Sequence, residues 1–161
     1  MELPHSRSPL LVAPALASSW AQLPSSVRWY LDELLDGASS IEDPRLARTM
    51  TWSVGNCHEH RRAPELSHHI EALALAFPQR QRQLVTLMAT DSKVSCRVTL
   101  RGVHLGPLYG LFLPTQRELK TEITHHIVCL DGRIQHDSIA VDVPAVLRQL
   151  SRGPKLARAA E

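Results

Sequence analysis

The segment from Leu119 to Cys129 alternates between two kinds of side chain, as expected for a strand with one buried and one exposed face. His125 falls on the apolar face between Ile123 and Ile127, whereas His126 falls on the other face. An imidazole among apolar side chains is costly to bury unless it is hydrogen-bonded or the face lines a cavity. His125 is therefore a candidate for acid–base chemistry. The alternative is a core histidine that is satisfied by a backbone carbonyl.

The carboxylate that could orient His125 lies beyond an Asp-Gly turn at residues 131–132. The turn type decides which side each returning residue faces. A two-residue turn places Asp137 opposite the exposed His126, whereas a three-residue loop with a left-handed Gly132 places it opposite His125. In the second register the carboxylate would fix the imidazole tautomer and raise its basicity, as a general base requires.

A further histidine, His69, falls on a predicted helix that begins near Pro64 and ends before Pro78. The apolar stripe of this helix consists of Leu66, Ile70, Leu73 and Phe77. His69 flanks the stripe, so helical geometry allows it to line a cavity, while the neighbouring His68 should be more exposed.

Residues 57–60, with the sequence Cys-His-Glu-His, combine side-chain types that bind metals. Two adjacent ligands with scattered histidines match no known zinc spacing, so we predict no metal site. The sequence also lacks a glycine-rich phosphate loop and the GxSxG and HExxH motifs. We therefore expect no cofactor.

The predicted elements that position these residues are mainly helices in the first half of the chain and long strands in the second half. They are, in order, a helix over 27–34, a short helix over 41–48, a helix over 64–77, hairpins over 84–102 and 117–141, and a helix over 143–150. Gly37 ends the first helix, and Asp142 caps the last. Helices followed by antiparallel strands predict an α+β fold with helices packed on one face of a curved sheet.

The length of 161 residues suits one domain with its own core. Residues 1–24 contain four prolines and many small residues, which predicts a flexible N-terminal arm. Residues 25–150 are predicted to form the domain, and residues 151–161 a solvated tail.

The composition excludes several classes of partner. Eighteen Lys and Arg residues against sixteen Asp and Glu residues give a net charge of +2, too little for the positive field that binding to a phosphate backbone needs. No apolar run approaches the roughly 20 residues of a membrane helix. We therefore expect neither nucleic acid nor a membrane as partner. The three cysteines form no CxxC motif and no paired framework, which is typical of a reducing compartment, so the predicted location is the cytoplasm.

Five strings occur in an order and at gaps that resemble one family. They are Phe77-Pro78, Gly102-Val103-His104-Leu105-Gly106, Leu113-Pro114-Thr115, Asp131-Gly132-Arg133-Ile134 and Leu147-Arg148-Gln149-Leu150. Over about residues 27–150 the sequence resembles the SnoaL-like polyketide cyclases, or ester cyclases, of the nuclear transport factor 2-like superfamily. This resemblance implies a cone, a cystatin-like α+β barrel in which a strongly bent antiparallel sheet wraps around a long helix and leaves a deep apolar pocket.

Similar proteins close rings by aldol chemistry without a cofactor, using an aspartate and a histidine as acid and base. By position, the family histidine falls on His125, and a polar residue of the third helix falls on His69. The family aspartate falls on Ile139, which is a departure. Asp137 would share a face with position 139, so the carboxylate could have moved one step along the same wall. The alternative is that the acid is lost.

These observations predict a cofactor-independent cyclase or isomerase of natural-product biosynthesis that acts on a small, apolar polyketide or terpenoid-like molecule. His125, oriented by Asp137, would move a proton, with His69 as a second acid or base. The predicted walls of the substrate pocket are Trp52, Tyr30 and His104. Two alternatives stay open: an enzyme that opens epoxides to cyclic ethers or diols, and a non-catalytic ligand-binding or dimerisation module. A homodimer is expected.

Overall fold

The computed structural model describes residues 7–55 and 59–152 of the chain. Within these residues the α-helices are Ala17–Gln22 (α1), Ser25–Trp29 (α2), Ala63–Ala76 (α3) and Val143–Arg152 (α4). The strands are Leu10–Val12 (β1), Leu46–Val54 (β2), Arg61–Arg62 (β3), Gln81–Ala89 (β4), Lys93–Val103 (β5), Glu118–Leu130 (β6) and Arg133–Val141 (β7). A 3₁₀ turn at Pro14–Leu16 precedes α1, and a π-helical segment at Tyr30–Leu34 continues α2.

The strands form one curved, unclosed sheet in the order β1-β4-β5-β6-β7-β2-β3. The four long central strands, β4 to β7, are antiparallel neighbours, as the two predicted hairpins require. Two pairs at the flanks are parallel, β1 with β4 and β2 with β7, so the sheet is mixed where a purely antiparallel one was expected. The predicted α+β class, with helices packed on a curved sheet, is confirmed.

The main core lies between the inner face of the sheet and the segment formed by α2, the π-helical turn and α3. Alternate residues of β5 and β6 point into it, because successive side chains of a strand face opposite sides. Its buried members from the sheet include Leu84, Val94, Cys96, Val98, Ile127 and Ile134, and those from the helices include Val27, Tyr30, Leu31, Leu66 and Ile70. This layer brings the inward side chains of β6 and β7 against the helices.

The predicted short helix over residues 41–48 is wrong. Residues 41–45 form turns, and β2 begins at Leu46. The Asp43 carboxylate accepts a hydrogen bond from the backbone N–H of Arg45 at 2.9 Å, which stabilises a turn ahead of the strand. Leu46 then pairs with Ile134 of β7, so sheet pairing overrides the local helical pattern.

The N-terminal segment is not a detached arm over its described part. β1 pairs with β4, and Leu10 is buried in the core. Two backbone N–H groups are held by acidic side chains, that of Ser8 by Asp36 at 2.8 Å and that of Leu10 by Asp32 at 2.8 Å. The prolines limit the length of each element here, but they leave enough N–H groups to anchor the chain. Residues 1–6 and 153–161 lie outside the described residues, and Ser151 and Arg152 end α4.

The turn between β6 and β7 is a two-residue turn, the first of the two registers that the sequence allows, so the three-residue loop does not form. Leu130 pairs with Arg133, and both turn residues have positive φ, 50° at Asp131 and 71° at Gly132. A β-bulge then follows at Gln135, because β7 has one residue more than β6 between two consecutive pairs. The extra residue reverses the parity of the rest of β7.

Candidate active site

The bulge in β7 turns Asp137 towards the inside of the sheet. Asp137 pairs with Ile127, and Ile139 pairs with His125. Side chains at positions 125 and 127 share the inner face, so Asp137 lies diagonally across from His125. Its Oδ2 atom is 2.8 Å from the Nδ1 atom of His125, and both residues are buried. The contact between His125 and Asp137 that the three-residue register would give is therefore present, although the turn has two residues.

Asp137 is also bound from the helical side. Tyr30, in the π-helical segment, donates its O–H to the same Oδ2 atom at 2.8 Å. Burial and the charge of Asp137 raise the pKa of Tyr30 well above its usual value, so the phenol keeps its proton and donates. The other carboxylate oxygen, Oδ1, is buried without a hydrogen-bond partner among the described residues. Tyr30, which was predicted as a pocket wall, is thus a hydrogen-bond partner of the carboxylate.

The hydrogen bond to Asp137 decides which ring nitrogen of a neutral His125 would carry the proton. A carboxylate oxygen only accepts hydrogen bonds, so the proton in the contact with His125 belongs to Nδ1. The lone pair of the neutral ring is then on Nε2, and His125 lines an internal cavity. A neutral imidazole with a carboxylate behind it is the arrangement of a general base.

His69, on α3, lines the same cavity as His125. Its Nδ1 atom forms a hydrogen bond with the hydroxyl of Tyr109, and its ring lies against Trp52 with centroids 5.2 Å apart. Burial, followed by the nearby His125 and Arg61, lowers the pKa of His69 to about 4. His69 is therefore neutral near pH 7 and carries one N–H.

The cavity between these histidines is small. It has a volume of about 50 Å³ and is lined mostly by apolar side chains. Its other walls are Leu31, Leu35, Ile70, Leu73, Arg80, Arg82, Val98, Leu100 and Ile123. A substrate of drug size needs several hundred Å³, which is more than this cavity provides.

Trp52 and His104, which the sequence predicts as walls of the substrate pocket, do not line this cavity. Trp52 is fully buried behind His69, and its Nε1 donates to the backbone oxygen of Arg62 at 2.9 Å, so it supports the histidine and does not line the cavity. His104 is not brought to this site. It follows the last residue of β5 and packs against Phe77 with ring centroids 5.5 Å apart, because the chain leaves the sheet at this point.

Sequence reasoning missed a buried charge cluster at the end of the cavity. Arg80 pairs with Asp36 at 2.7 Å, and Arg82 donates to the backbone oxygen atoms of Leu31 and Asp32 at 2.6 and 2.8 Å. Burial lowers the pKa of Arg82 to about 10, which leaves it protonated near pH 7. These bonds hold the end of the π-helical segment on the sheet. The predicted hairpin begins at Leu84 and so leaves out Arg82, which lies two residues earlier on β4 and shares the inward face with Leu84.

Tyr109 was also missed, because it lies outside every periodic segment, in the loop between β5 and β6. In the Cys-His-Glu-His segment at residues 57–60, Cys57 and His58 lie outside the described residues, and the ring of His60 is 5.1 Å from that of His136. In the described part of the chain no group of three or more His, Cys, Asp or Glu side chains could hold a metal ion. Nor is any helix there long and apolar enough to cross a membrane.

The profile of the SnoaL-like polyketide cyclase family matches residues 45–150, which include His69, His125 and Asp137. The chain belongs to this family. A comparison with the curated proteins gives no significant match.

Solved structures agree with the family in fold. AclR from Streptomyces galilaeus, which bears the name of a hydroxylase, is 17% identical with a TM-score of 0.65, over 91% of this chain and 87% of that one. A protein of Jannaschia sp. CCS1, named as a SnoaL-like polyketide cyclase, is also 17% identical with a TM-score of 0.65, over 80% and 93%. IdmH from Streptomyces antibioticus, named as a polyketide cyclase, is 20% identical with a TM-score of 0.55, over 66% and 81%. At these identities the likeness shows the fold alone.

Proposed function

We propose that this SnoaL-like protein is a cofactor-independent cyclase that closes a ring in an apolar, polyketide-like molecule by acid–base catalysis. The observation that carries the proposal is the 2.8 Å contact between His125 Nδ1 and Asp137 Oδ2 on the wall of an internal cavity. The membership of the family supports a cyclase role, and the contact supplies the general base that ring closure requires.

In this mechanism His125 acts through Nε2. The atom removes a proton from a carbon next to a carbonyl group of the bound chain, and the imidazolium that results is stabilised by the Asp137 carboxylate at Nδ1. The electron pair moves to the carbonyl oxygen to give an enolate, which attacks a second carbonyl carbon of the same molecule. His125 then returns the proton to the new alkoxide oxygen. The product of this step is an isomer of the substrate.

The apolar walls contribute separately from proton transfer. A flexible chain that is folded by the cavity has its reacting carbons close together, and this removes much of the entropic barrier to ring closure. Because the cavity is much smaller than such a chain, we expect α3 and the π-helical segment to separate from the sheet when the substrate binds. Loops and helices that move in this way commonly set the turnover rate of an enzyme.

Epoxide opening is the second candidate. It needs an acid at the epoxide oxygen and a base at the nucleophile, and the observation that favours it is the presence of two separate histidines on one cavity. A non-catalytic ligand-binding module would be favoured by an inward His125 without a carboxylate, whereas Asp137 is in contact with it.

The test starts from a strain in which the gene is deleted. The precursor that accumulates is isolated, incubated with the purified protein, and the product is analysed by mass spectrometry and NMR. An aldol product with the mass of the precursor, or that mass less one water, agrees with the proposal. A diol with the mass of the precursor plus one water, or a cyclic ether, identifies epoxide opening instead. No conversion of a precursor that nevertheless binds would indicate a binding module.

The cytoplasmic location and the homodimer expected from the sequence stay predictions. Light scattering of the purified protein during size-exclusion chromatography tests the second one, with twice the chain mass as the expected result.

A further inference from the structure

We propose that Tyr109 is a positioning residue that holds His69 in the tautomer with its proton on Nε2, so that His69 acts as a hydrogen-bond donor to the substrate opposite the base His125. The proposal rests on the proposed function for the role of this donor. The placement of the proton on His69 is itself a property of the free protein.

The surroundings of His69 fix the orientation of its ring. Tyr109, 40 residues further along the chain, forms a hydrogen bond with Nδ1 through its hydroxyl, and the two ring centroids are 5.9 Å apart. The indole of Trp52 also packs on the imidazole, with an interplanar angle of 40°. With Nδ1 bound to Tyr109, the Nε2 atom is the ring nitrogen left for a ligand, and the residue lines the cavity.

Chemistry decides which of the two groups donates. Burial raises the pKa of Tyr109 and lowers that of His69, so near pH 7 both groups are neutral. A phenol O–H is a far stronger acid than the N–H of a neutral imidazole, and an imidazole lone pair is a better acceptor than a phenol oxygen. The stronger hydrogen bond therefore runs from Tyr109 to Nδ1, and the single proton of His69 is on Nε2.

The backbone at Tyr109 supports a functional reason for its side chain. Its φ is 52°, in the left-handed region that is strained for a residue with a Cβ atom. Gly110, which follows, also has a positive φ, and a bridge between Leu108 and Phe112 closes the small loop. Strained residues of this kind persist where the surrounding structure fixes them, and they are concentrated at functional sites. A glycine would remove the strain, but it would also remove the contact with His69.

The two histidines then have opposite tautomers on one cavity. His125 carries its proton on Nδ1 and presents a lone pair on Nε2, whereas His69 accepts at Nδ1 and presents an N–H. A substrate that uses both has an acidic C–H at one position and a carbonyl oxygen at another. As His125 removes the proton and the electron pair moves to oxygen, the N–H of His69 donates a hydrogen bond to the oxyanion and keeps its own proton.

The test measures the tautomer directly in the free protein. Long-range ¹H–¹⁵N NMR of protein labelled with ¹⁵N-histidine distinguishes a protonated ring nitrogen from an unprotonated one. We expect His69 in the wild type at pH 7 to show an unprotonated Nδ1 and a protonated Nε2. In Tyr109→Phe, which keeps the ring, both nitrogen shifts should move towards intermediate values, because the tautomers interconvert. Phe112→Leu, in the same loop, is the control and should leave the His69 signals unchanged.

A wild-type spectrum with the proton on Nδ1 overturns the proposal, as does a Tyr109→Phe spectrum equal to that of the wild type. A kinetic measurement adds the role in turnover: Tyr109→Phe should lower kcat by the same factor by which NMR shows the Nε2-protonated form of His69 to decrease, and it should change KM little. The two failures are distinguishable. If the NMR result is as expected but no carbonyl substrate is turned over, the tautomer assignment stands and the proposed function fails. If turnover depends on His125 but the His69 proton is on Nδ1, only this inference fails.

Discussion

Asp137→Asn separates the charge of the proposed catalytic pair, His125 and Asp137, from its geometry. The Oδ2 atom of Asp137 accepts from both Tyr30 and His125, and two donors leave no room for an amide NH₂ group at that position. The amide oxygen should therefore replace Oδ2, and the NH₂ group should replace Oδ1, which has no partner among the described residues. His125 then keeps its proton on Nδ1, and the negative charge is the principal loss.

The size of the effect follows from the distance. With 2.8 Å between the bonded atoms, the centres of the two charges are about 4 Å apart when His125 is protonated. Two unit charges at that separation interact by about 4 kcal/mol at an effective dielectric constant of roughly 20. Because about 1.4 kcal/mol corresponds to a factor of ten, kcat should fall roughly 10² to 10³-fold. KM should change little, since Asp137 lies behind His125 and does not line the cavity.

The assay is ring closure of the accumulated precursor, followed by chromatography and mass spectrometry to give kcat and KM. Ser138→Ala, at the next position of β7 on the other face, is the matched control and should retain wild-type kinetics. Circular dichroism verifies that both variants are folded. A folded Asp137→Asn variant with kcat within threefold of the wild type would refute electrostatic assistance by this carboxylate.

Three more predictions concern the cavity wall, the turns and pH. Ile139→Asp in the Asp137→Asn background should recover part of the lost kcat, because position 139 is directly opposite His125. A kcat equal to that of Asp137→Asn alone would show that a carboxylate at position 139 cannot replace Asp137. Urea unfolding should show that Gly132→Ala lowers the free energy of unfolding by about 1 kcal/mol, because the φ of Gly132 is 71°. Gly106→Ala should lower it further, because the new Cβ atom would lie 2.0 Å from the backbone oxygen of Leu75. A larger loss for Gly132→Ala than for Gly106→Ala would contradict this reasoning. Since the pKa of His69 is lowered to about 4, the unfolded chain binds this proton more readily, and the free energy of unfolding should fall by up to roughly 3 kcal/mol as pH decreases from about 6.5 to about 4. His69→Gln should reduce this pH dependence, and an equal slope in both proteins would contradict burial of a neutral imidazole.

The inward direction of His125 could be predicted because alternation along β6 has only two phases. The helix that carries His69 could be predicted for a similar reason, since its apolar stripe repeats with the period of a helix. Both observations depend on residues that are close in sequence. They specify which face a side chain occupies, but not which side chain is opposite.

The contacts of Asp137 depend on distant parts of the chain and could not be predicted in detail. The bulge at Gln135 has no sequence signature of its own. Because it shifts the register of β7 by one residue, Asp137 faces inward after a two-residue turn, whereas the sequence alone links that orientation to a three-residue loop. The bonds of Tyr30 and Tyr109 arise from packing between elements 107 and 40 residues apart. The strand at residues 46–54 likewise depends on its parallel partner β7, which local propensity does not include.

The kcat of His125→Gln compared with that of His126→Gln tests acid–base catalysis most directly. The two residues are adjacent on β6, but the first lines the cavity and the second is exposed on the other face of the sheet. Ring closure by His125→Gln should be slower than wild type by roughly 10² to 10⁴-fold, with substrate binding nearly unchanged, whereas His126→Gln should behave as the wild type. Equal kcat values for the two folded variants would contradict the assignment of His125 as the general base.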